Sequence, residues 1–306
     1  MTKIASIDIG SNTVRLLIFS GTPDTGFETI DSERAITRLG EAMDQEKKLQ
    51  ERRVEDTLEV LQRFKKKCST HGDIPIHAVA TSAVREASNR EEFVKRAREQ
   101  AGIEVQVIPW EEEARLTLEG VFWRIPDQSK NTLTFDIGGG STEYIFSQGK
   151  TLLAAHGTSL GVVRLTEKFI TRHPVDPREY LKLQTFLREE LQEVKTQLPD
   201  LAPERLIGTA GTVTTLAALA NNIYPYDAEK IHGTVLSQGQ IQSIQEDLMS
   251  RSNEERLLLK ALEKGREDLI IAGTALTLET MRIFGCEHLT VSEYSLREGI
   301  LISLSK

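Results

Sequence analysis

Residues 131–147 read Asn-Thr-Leu-Thr-Phe-Asp-Ile-Gly-Gly-Gly-Ser-Thr-Glu-Tyr-Ile-Phe-Ser. The apolar run Leu133–Ile137 reads as a buried strand, with one carboxylate, Asp136, near its end. Gly138, Gly139 and Gly140 follow, then the hydroxyls Ser141 and Thr142, then a second carboxylate, Glu143. Tyr144–Phe146 opens another strand, which puts the glycines in a tight hairpin turn. Glycine tolerates positive φ and has no Cβ, so a ligand can come close to the backbone. Consecutive turn N–H groups that face one way make an anion-binding nest. Two carboxylates beside a nest suggest a divalent cation that bridges protein and phosphate, because Mg²⁺ takes few carboxylates plus phosphate oxygens. Taken alone, the stretch also suits an ordinary Gly-rich hairpin.

A second stretch has the same form. Residues 4–19 read Ile-Ala-Ser-Ile-Asp-Ile-Gly-Ser-Asn-Thr-Val-Arg-Leu-Leu-Ile-Phe. An apolar strand again ends in Asp-Ile-Gly (Asp8, Ile9, Gly10), and Ser11, Asn12 and Thr13 precede another apolar strand. Asp8 and Asp136 are 128 residues apart, about the length of a small domain. Two such openings suggest two related domains that face each other across a cleft, each with one loop on the same phosphate.

Composition narrows the class. The chain has 306 residues, 39% hydrophobic and 27% charged, as in a globular protein large enough for two cores. No run approaches the ~20 apolar residues of a membrane span, and the N-terminus reads as a strand rather than an export signal. Cys68 and Cys286 suggest neither a disulfide framework nor a zinc site. A cytoplasmic protein with no membrane partner is expected. Net charge is −8; residues 1–123 carry 18 Lys+Arg against 22 Asp+Glu, so no basic domain exists and nucleic-acid binding is not expected. A polyanionic ligand would be met by local arginines and turn amides.

Along the chain, strands are expected at Lys3–Ile9, Val14–Ser20 and Phe27–Arg38, then a turn region with Gly40 and Asp44. Val54, Leu58, Leu61 and Phe64 mark a helix over 51–68, with Lys65–Lys67 at its solvated end. A strand His77–Ala80 leads to Thr81-Ser82-Ala83-Val84-Arg85, suited to an anion at a strand's C-terminal end; otherwise Ser82 caps a helix and Arg85 pairs near Glu86. After a helix over 90–101 and a strand over 104–108, Pro109 and Glu111–Glu113 mark a helix N-terminus. A general base could be any of Glu111, Glu112 and Glu113. Pro126 and Asp127–Lys130 form the expected linker. Beyond the central hairpin come a strand Thr151–His156, a polar turn over 157–161, a helix over 177–197 and a strand Arg205–Gly208. Thr209–Thr215 then forms a third small-residue loop at a helix N-terminus, open to phosphate or a nucleotide or simply close-packed. Helices over 237–250, 254–263 and 266–284, a strand over 289–292 and a last helix to Leu304 complete the reading. Arg297 and Glu298 suit a structural ion pair and cap.

Five ordered motifs carry a resemblance: Asp8-Ile-Gly-Ser-Asn-Thr-Val-Arg15-Leu, Ala80-Thr-Ser-Ala-Val-Arg85, Glu112-Glu113-Ala-Arg115-Leu, Asp136-Ile-Gly-Gly-Gly-Ser-Thr-Glu143 and Leu296-Arg-Glu-Gly299. Together they resemble the exopolyphosphatase / guanosine pentaphosphate phosphohydrolase (Ppx/GppA) family over essentially the whole chain. The resemblance implies an α/β protein of two ribonuclease-H-like domains of the actin-like ATPase / sugar kinase superfold. Domains are expected over 1–124 and 125–293, with a helix over 294–306 packed back on the first. It implies Glu113 as catalytic base. It assigns Asp136 and Glu143, with Asp8, to a metal. Phosphates fall to Gly10, Ser11, Asn12, Thr13, Arg15 and Arg85, and to Gly138, Gly139, Gly140, Ser141 and Thr142. Gly208, Gly211 and Thr212 match the nucleotide loop of related kinases. Mg²⁺ is the expected cofactor, with Mn²⁺ as a substitute and K⁺ as an activator, and a homodimer is expected. Thr13 stands where Ser is common in the family and Trp110 where Gly or Ser is common. The chain resembles the short form, without extra C-terminal helical domains.

The expected reaction is Mg-dependent hydrolysis of the terminal phosphoanhydride of inorganic polyphosphate. The alternatives are hydrolysis of guanosine pentaphosphate (pppGpp), a kinase-like activity of the same superfold, or a non-catalytic (p)ppGpp sensor. Arg15, Arg38 and Arg85 are candidates for the cationic path of a phosphate chain.

Overall fold

The computed structural model describes residues 3–22, 26–43, 47–126 and 129–304; Asp44 of the expected turn and Asp127 of the expected linker lie outside them. Two units divide the chain: Met1–Trp123 with Ser295–Lys306, and Arg124–Tyr294.

The first unit is a five-stranded sheet in the order β3-β2-β1-β4-β5. Its strands are β1 (Lys3–Ile9), β2 (Thr13–Thr22), β3 (Gly26–Ile36), β4 (Ile76–Ala80) and β5 (Val105–Val107). β1 to β3 form an antiparallel meander, while β4 runs parallel to β1 and β5 parallel to β4. Alternation along β2 feeds two layers, because successive side chains leave opposite faces of a strand. Leu16 and Ile18 join the core of helix α1 (Glu51–Ser69), which contributes Val54, Leu58, Leu61 and Phe64. Leu17 and Phe19 pack instead with Leu301 of the last helix, α12 (Leu296–Leu304). The end of α1 is less solvated than its lysines suggest: Lys67 Nζ lies 3.3 Å from Asp31 and 2.8 Å from Glu33 on β3.

After β4 comes a single helical turn, α2 (Ser82–Glu86), then α3 (Arg90–Arg96), which runs into a π-helical turn over Ala97–Ala101. Ser82 is not a cap; its hydroxyl donates to Glu86 (3.0 Å). Helix α4 (Trp110–Arg124) crosses α12 at two glycines, where a Cβ on Gly120 would lie 1.8 Å from Ser295 O and one on Gly299 1.8 Å from Leu116 O. Only hydrogen at both positions lets the two backbones come this close.

The second unit repeats the pattern. Its strands are β6 (Asn131–Ile137), β7 (Thr142–Gln148), β8 (Thr151–Thr158), β9 (Arg205–Thr209), β10 (Val235–Ser237) and β11 (His288–Val291), in the order β10-β11-β9-β6-β7-β8. β6 to β8 are an antiparallel meander, β9 is parallel to β6 and β11 to β9, with β10 added antiparallel at the edge. Helices α5 (Val162–Phe169), α6 (Pro177–Gln197), α7 (Ala210–Ala220), α8 (Ala228–Ile231), α9 (Gln238–Ser250), α10 (Asn253–Leu257) and α11 (Ile270–Phe284) complete it. Each unit is therefore a ribonuclease-H-like sheet with helices, as expected for the actin-like fold. Gly157 and Thr158 continue β8 rather than forming a turn, and α5, α8 and β10 were not anticipated. No described helix is long and apolar enough to cross a membrane.

Candidate active site

The two glycine turns are built alike. The amide of Gly10 donates to Thr13 O (3.1 Å) and that of Gly138 to Ser141 O (2.9 Å). A Cβ on either glycine would crowd that same carbonyl, at 3.2 and 3.1 Å. In the first turn, Ser11 O accepts from the Gly40 amide (2.7 Å), and Asn12 O accepts from the amides of Thr37 (3.1 Å) and Arg38 (3.0 Å). In a trans peptide the C=O and the next N–H point in opposite directions. The amides of Asn12 and Thr13 therefore face away from the 37–40 segment. In the second turn, Gly138 O and Gly139 O accept from the first amides of α5, Val162 (3.0 Å) and Val163 (2.9 Å), so the amides of Gly139 and Gly140 face the other way. Each turn thus presents two adjacent N–H groups, the geometry of an anion nest. Gly161 lets the second turn lie flat on its support, since a Cβ there would fall 2.2 Å from Gly139 O. Arg38, beside the first turn, has φ of 51°, a left-handed conformation that costs a residue with a Cβ about 1–3 kcal/mol and clusters at functional sites.

The turns differ in what flanks them. Asp8 pairs in register with Arg15, and Asp136 with Glu143, each seven residues on. Directly opposed residues share one face of the hairpin. The first turn therefore sets a carboxylate against a cation and the second sets two carboxylates together. Burial raises the Asp8 carboxyl above its ordinary value, with Arg15 and then Arg297 pulling it down and Glu298 adding to the rise. Glu143 is buried and accepts from the Ser141 hydroxyl (2.6 Å). Among the described residues no group of three or more His, Cys, Asp and Glu gathers to hold a metal by itself. The Asp136–Glu143 pair instead suits an ion that takes most of its ligands from phosphate and water. Thr142 is fully buried and its hydroxyl donates to Leu160 O (2.7 Å), which makes it a brace of the turn rather than a phosphate contact.

The three glutamates that open α4 are separated by their surroundings. Glu111 is exposed. Glu112 receives two bonds from Arg115 on its own helix, both 2.8 Å, and that guanidinium holds its carboxyl below the ordinary value. Glu113 is buried and accepts from Arg85 Nη1 at 2.7 Å. Arg85 Nη1 also donates to Ile108 O (3.1 Å). These groups sit at one end of the sheet: the Thr81 amide bonds Ile9 O (3.2 Å) and the Ile108 amide bonds Ala80 O (3.1 Å), so the segments after β1, β4 and β5 lie side by side. The C-terminal ends of parallel strands are where α/β folds place ligands.

The third small-residue segment is not a loop. Gly208 lies inside β9, where a Cβ would meet Phe135 Cζ at 2.9 Å, and α7 starts at Ala210 with φ of 69°. A Cβ on Gly211 would lie 2.2 Å from the Arg266 guanidinium, which is itself bonded to Glu263 (2.7 Å). Thr212 packs against Gly273. Nothing in the sequence marks Arg266, because it reaches Gly211 only through the tertiary fold.

Paired anion-binding turns on repeated ribonuclease-H-like sheets, with a buried carboxylate–guanidinium pair at one strand end, define a phosphate-handling enzyme of the actin-like fold. The chain belongs to the Ppx/GppA phosphatase family, whose profile matches residues 17–306, and it is a hydrolase. It is 29% identical over 317 residues to exopolyphosphatase 2 of Mycobacterium tuberculosis, covering 100% of this chain and 99% of that one. The crystal structure of the Aquifex aeolicus Ppx/GppA family member is 37% identical, with TM-score 0.84 over 99% of this chain and 97% of that one. That of an exopolyphosphatase from Cytophaga hutchinsonii is 27% identical, with TM-score 0.92 over 99% and 98%.

Proposed function

We propose that the protein is an exopolyphosphatase that removes single orthophosphates from the ends of inorganic polyphosphate. The observation that carries this reading is the buried Glu113 carboxylate, 2.7 Å from Arg85 Nη1, at the sheet end that also bears the first anion nest. The names of the relatives support the substrate. Glu113 takes a proton from water as the water oxygen bonds to the terminal phosphorus and the bridging P–O bond breaks. The bridging oxygen leaves on the shortened chain as its new terminal oxyanion. Arg85 holds Glu113 through Nη1 and offers Nε and Nη2 to phosphate oxygens; the paired turn amides take others. Phosphoryl transfer asks for little more than such positioning and charge stabilisation. Asp136 and Glu143 would hold Mg²⁺, which when bound offsets charge on phosphate oxygens. A terminal phosphate presents three non-bridging oxygens to these donors and an internal one only two, which favours cutting at chain ends.

The test is phosphate release from polyphosphate of defined lengths, from pppGpp and from ATP, with products sized on a gel. Loss of one phosphate at a time from polyphosphate is expected. Early ladders of internal fragments would overturn the end-cutting model, and faster release from pppGpp would reassign the substrate.

A further inference from the structure

The side chain of Asn12 does not fit the role of a phosphate donor. It is 5% exposed, and its backbone is pinned by the Thr37 and Arg38 amides. Its Nδ2 donates to Thr13 Oγ1 (3.4 Å), while Oδ1 is buried and has no hydrogen-bond partner among the described residues. Leaving a buried acceptor unpaired costs about 1–3 kcal/mol. A carboxamide oxygen only accepts, and so does an ionised phosphate oxygen, so the two repel. The atom needs something that brings a hydrogen. In a hydrolase that species is water.

Deepening the hydrolytic reading above, we infer that Asn12 orients the attacking water together with Glu113. Both residues belong to the first unit, in segments that leave β1 and β5 at the same end of the sheet. The β1 and β5 backbones are two strand steps apart, about 10 Å. A glutamate, one water and an asparagine span that distance. Water carries two hydrogens. With Glu113 as sole acceptor it would spin about one hydrogen bond. A second acceptor, Asn12 Oδ1, fixes both hydrogens and leaves a lone pair for phosphorus. Glu113 then takes one proton, the other stays on the new P–OH, and the bridging oxygen departs with its electron pair on the shortened chain.

The experiment compares N12A and N12D with wild type by steady-state phosphate release, Mg²⁺ titration and thermal unfolding. The ratios are read on whichever phosphoanhydride the wild type cleaves, so a wrong substrate assignment would not be confused with a wrong role for Asn12. N12A is expected to lose about 10- to 100-fold in kcat, the scale of a misaligned nucleophile, with KM changed less than about twofold. N12D keeps an acceptor of the same shape and should retain a kcat well above that of N12A. A raised KM at unchanged kcat, worst in N12D, would show instead that Asn12 binds phosphate through its NH₂ group. A shifted Mg²⁺ half-saturation at unchanged kcat would make it a cation ligand. Parallel losses of kcat and Tm in both variants would make its role structural. Each of these three results overturns the inference.

Discussion

Replacing Gly120 by alanine puts a methyl group where α4 crosses α12. The new Cβ would lie 1.8 Å from Ser295 O, 2.7 Å from Ser295 C and 3.0 Å from Gly299 N. All three are backbone atoms, so no rotamer change relieves the clash. Contacts of this kind essentially never fall below 3.0 Å, so the helices must part by roughly 1.2 Å, the difference from the 1.8 Å contact. Gly299 cannot give way, because its own Cα sits against Leu116 O. Overpacking of this sort costs about 1–3 kcal/mol. At about 2–4 °C per kcal/mol, Tm should fall by roughly 3–10 °C. The consequence for function is larger. Helix α4 carries Glu113 in its first turn and is seated on α12 and the sheet through Leu116, Leu296, Ile300 and Ile108. A helix moves as a rod, so a shift near Gly120 reaches Glu113, and a 1 Å misplacement can cost about 10²-fold in rate. Phosphate release and differential scanning fluorimetry on G120A should show both losses. G239A is the control, since nothing lies within 4 Å of a Cβ there, and it should be neutral. A G120A protein with wild-type Tm and turnover would refute the idea that this crossing sets the position of Glu113.

Three further predictions test separate parts of the account. E113Q should lower turnover by about 10²–10⁴-fold, the value of a general base, while polyphosphate binding measured by filter retention persists; loss of binding instead would make Glu113 a scaffold for Arg85. D136N and E143Q should each raise the Mg²⁺ concentration for half-maximal activity, and unchanged half-saturation in both would remove the metal from this hairpin. On β3, the hydrogen bond from Lys67 holds the Glu33 carboxyl below its ordinary value of 4.5. Since the folded value is the lower one, this contribution is fully present above about pH 4.5 and is lost as pH falls through the depressed value. With both side chains partly exposed it is worth about 0.2–1 kcal/mol, so the stability gap between wild type and E33Q should be present at pH 7 and close toward acid. A gap that stays constant with pH would show that the pair contributes by packing, not charge.

The two glycine hairpins are legible in the sequence because a strand–turn–strand is a local object. Its apolar run, its punctuating glycines and its returning strand all fall within about twenty consecutive residues. Once the hairpin register is granted, even the contrast between the turns can be read, since Arg15 and Glu143 stand at the same offset from Asp8 and Asp136. The 3.6-residue spacing in α1 and the long α6 was equally plain. Short elements were not: α8 and β10 have four and three residues, too few for a period to show, and packing alone holds them. The glutamates that open α4 are equivalent to any rule based on the helix dipole. What separates them is burial and an arginine 28 residues earlier in the chain, brought close by parallel pairing of β4 with β5. The same holds for Gly208, whose neighbour Phe135 lies across a strand pair, and for Gly211 under Arg266. Asn12 is the sharpest case. Its motif announces a phosphate turn, but only the folded chain shows which end of its carboxamide is paired. That end is decided by the neighbours a buried polar atom finds in three dimensions, and no spacing along the chain records them.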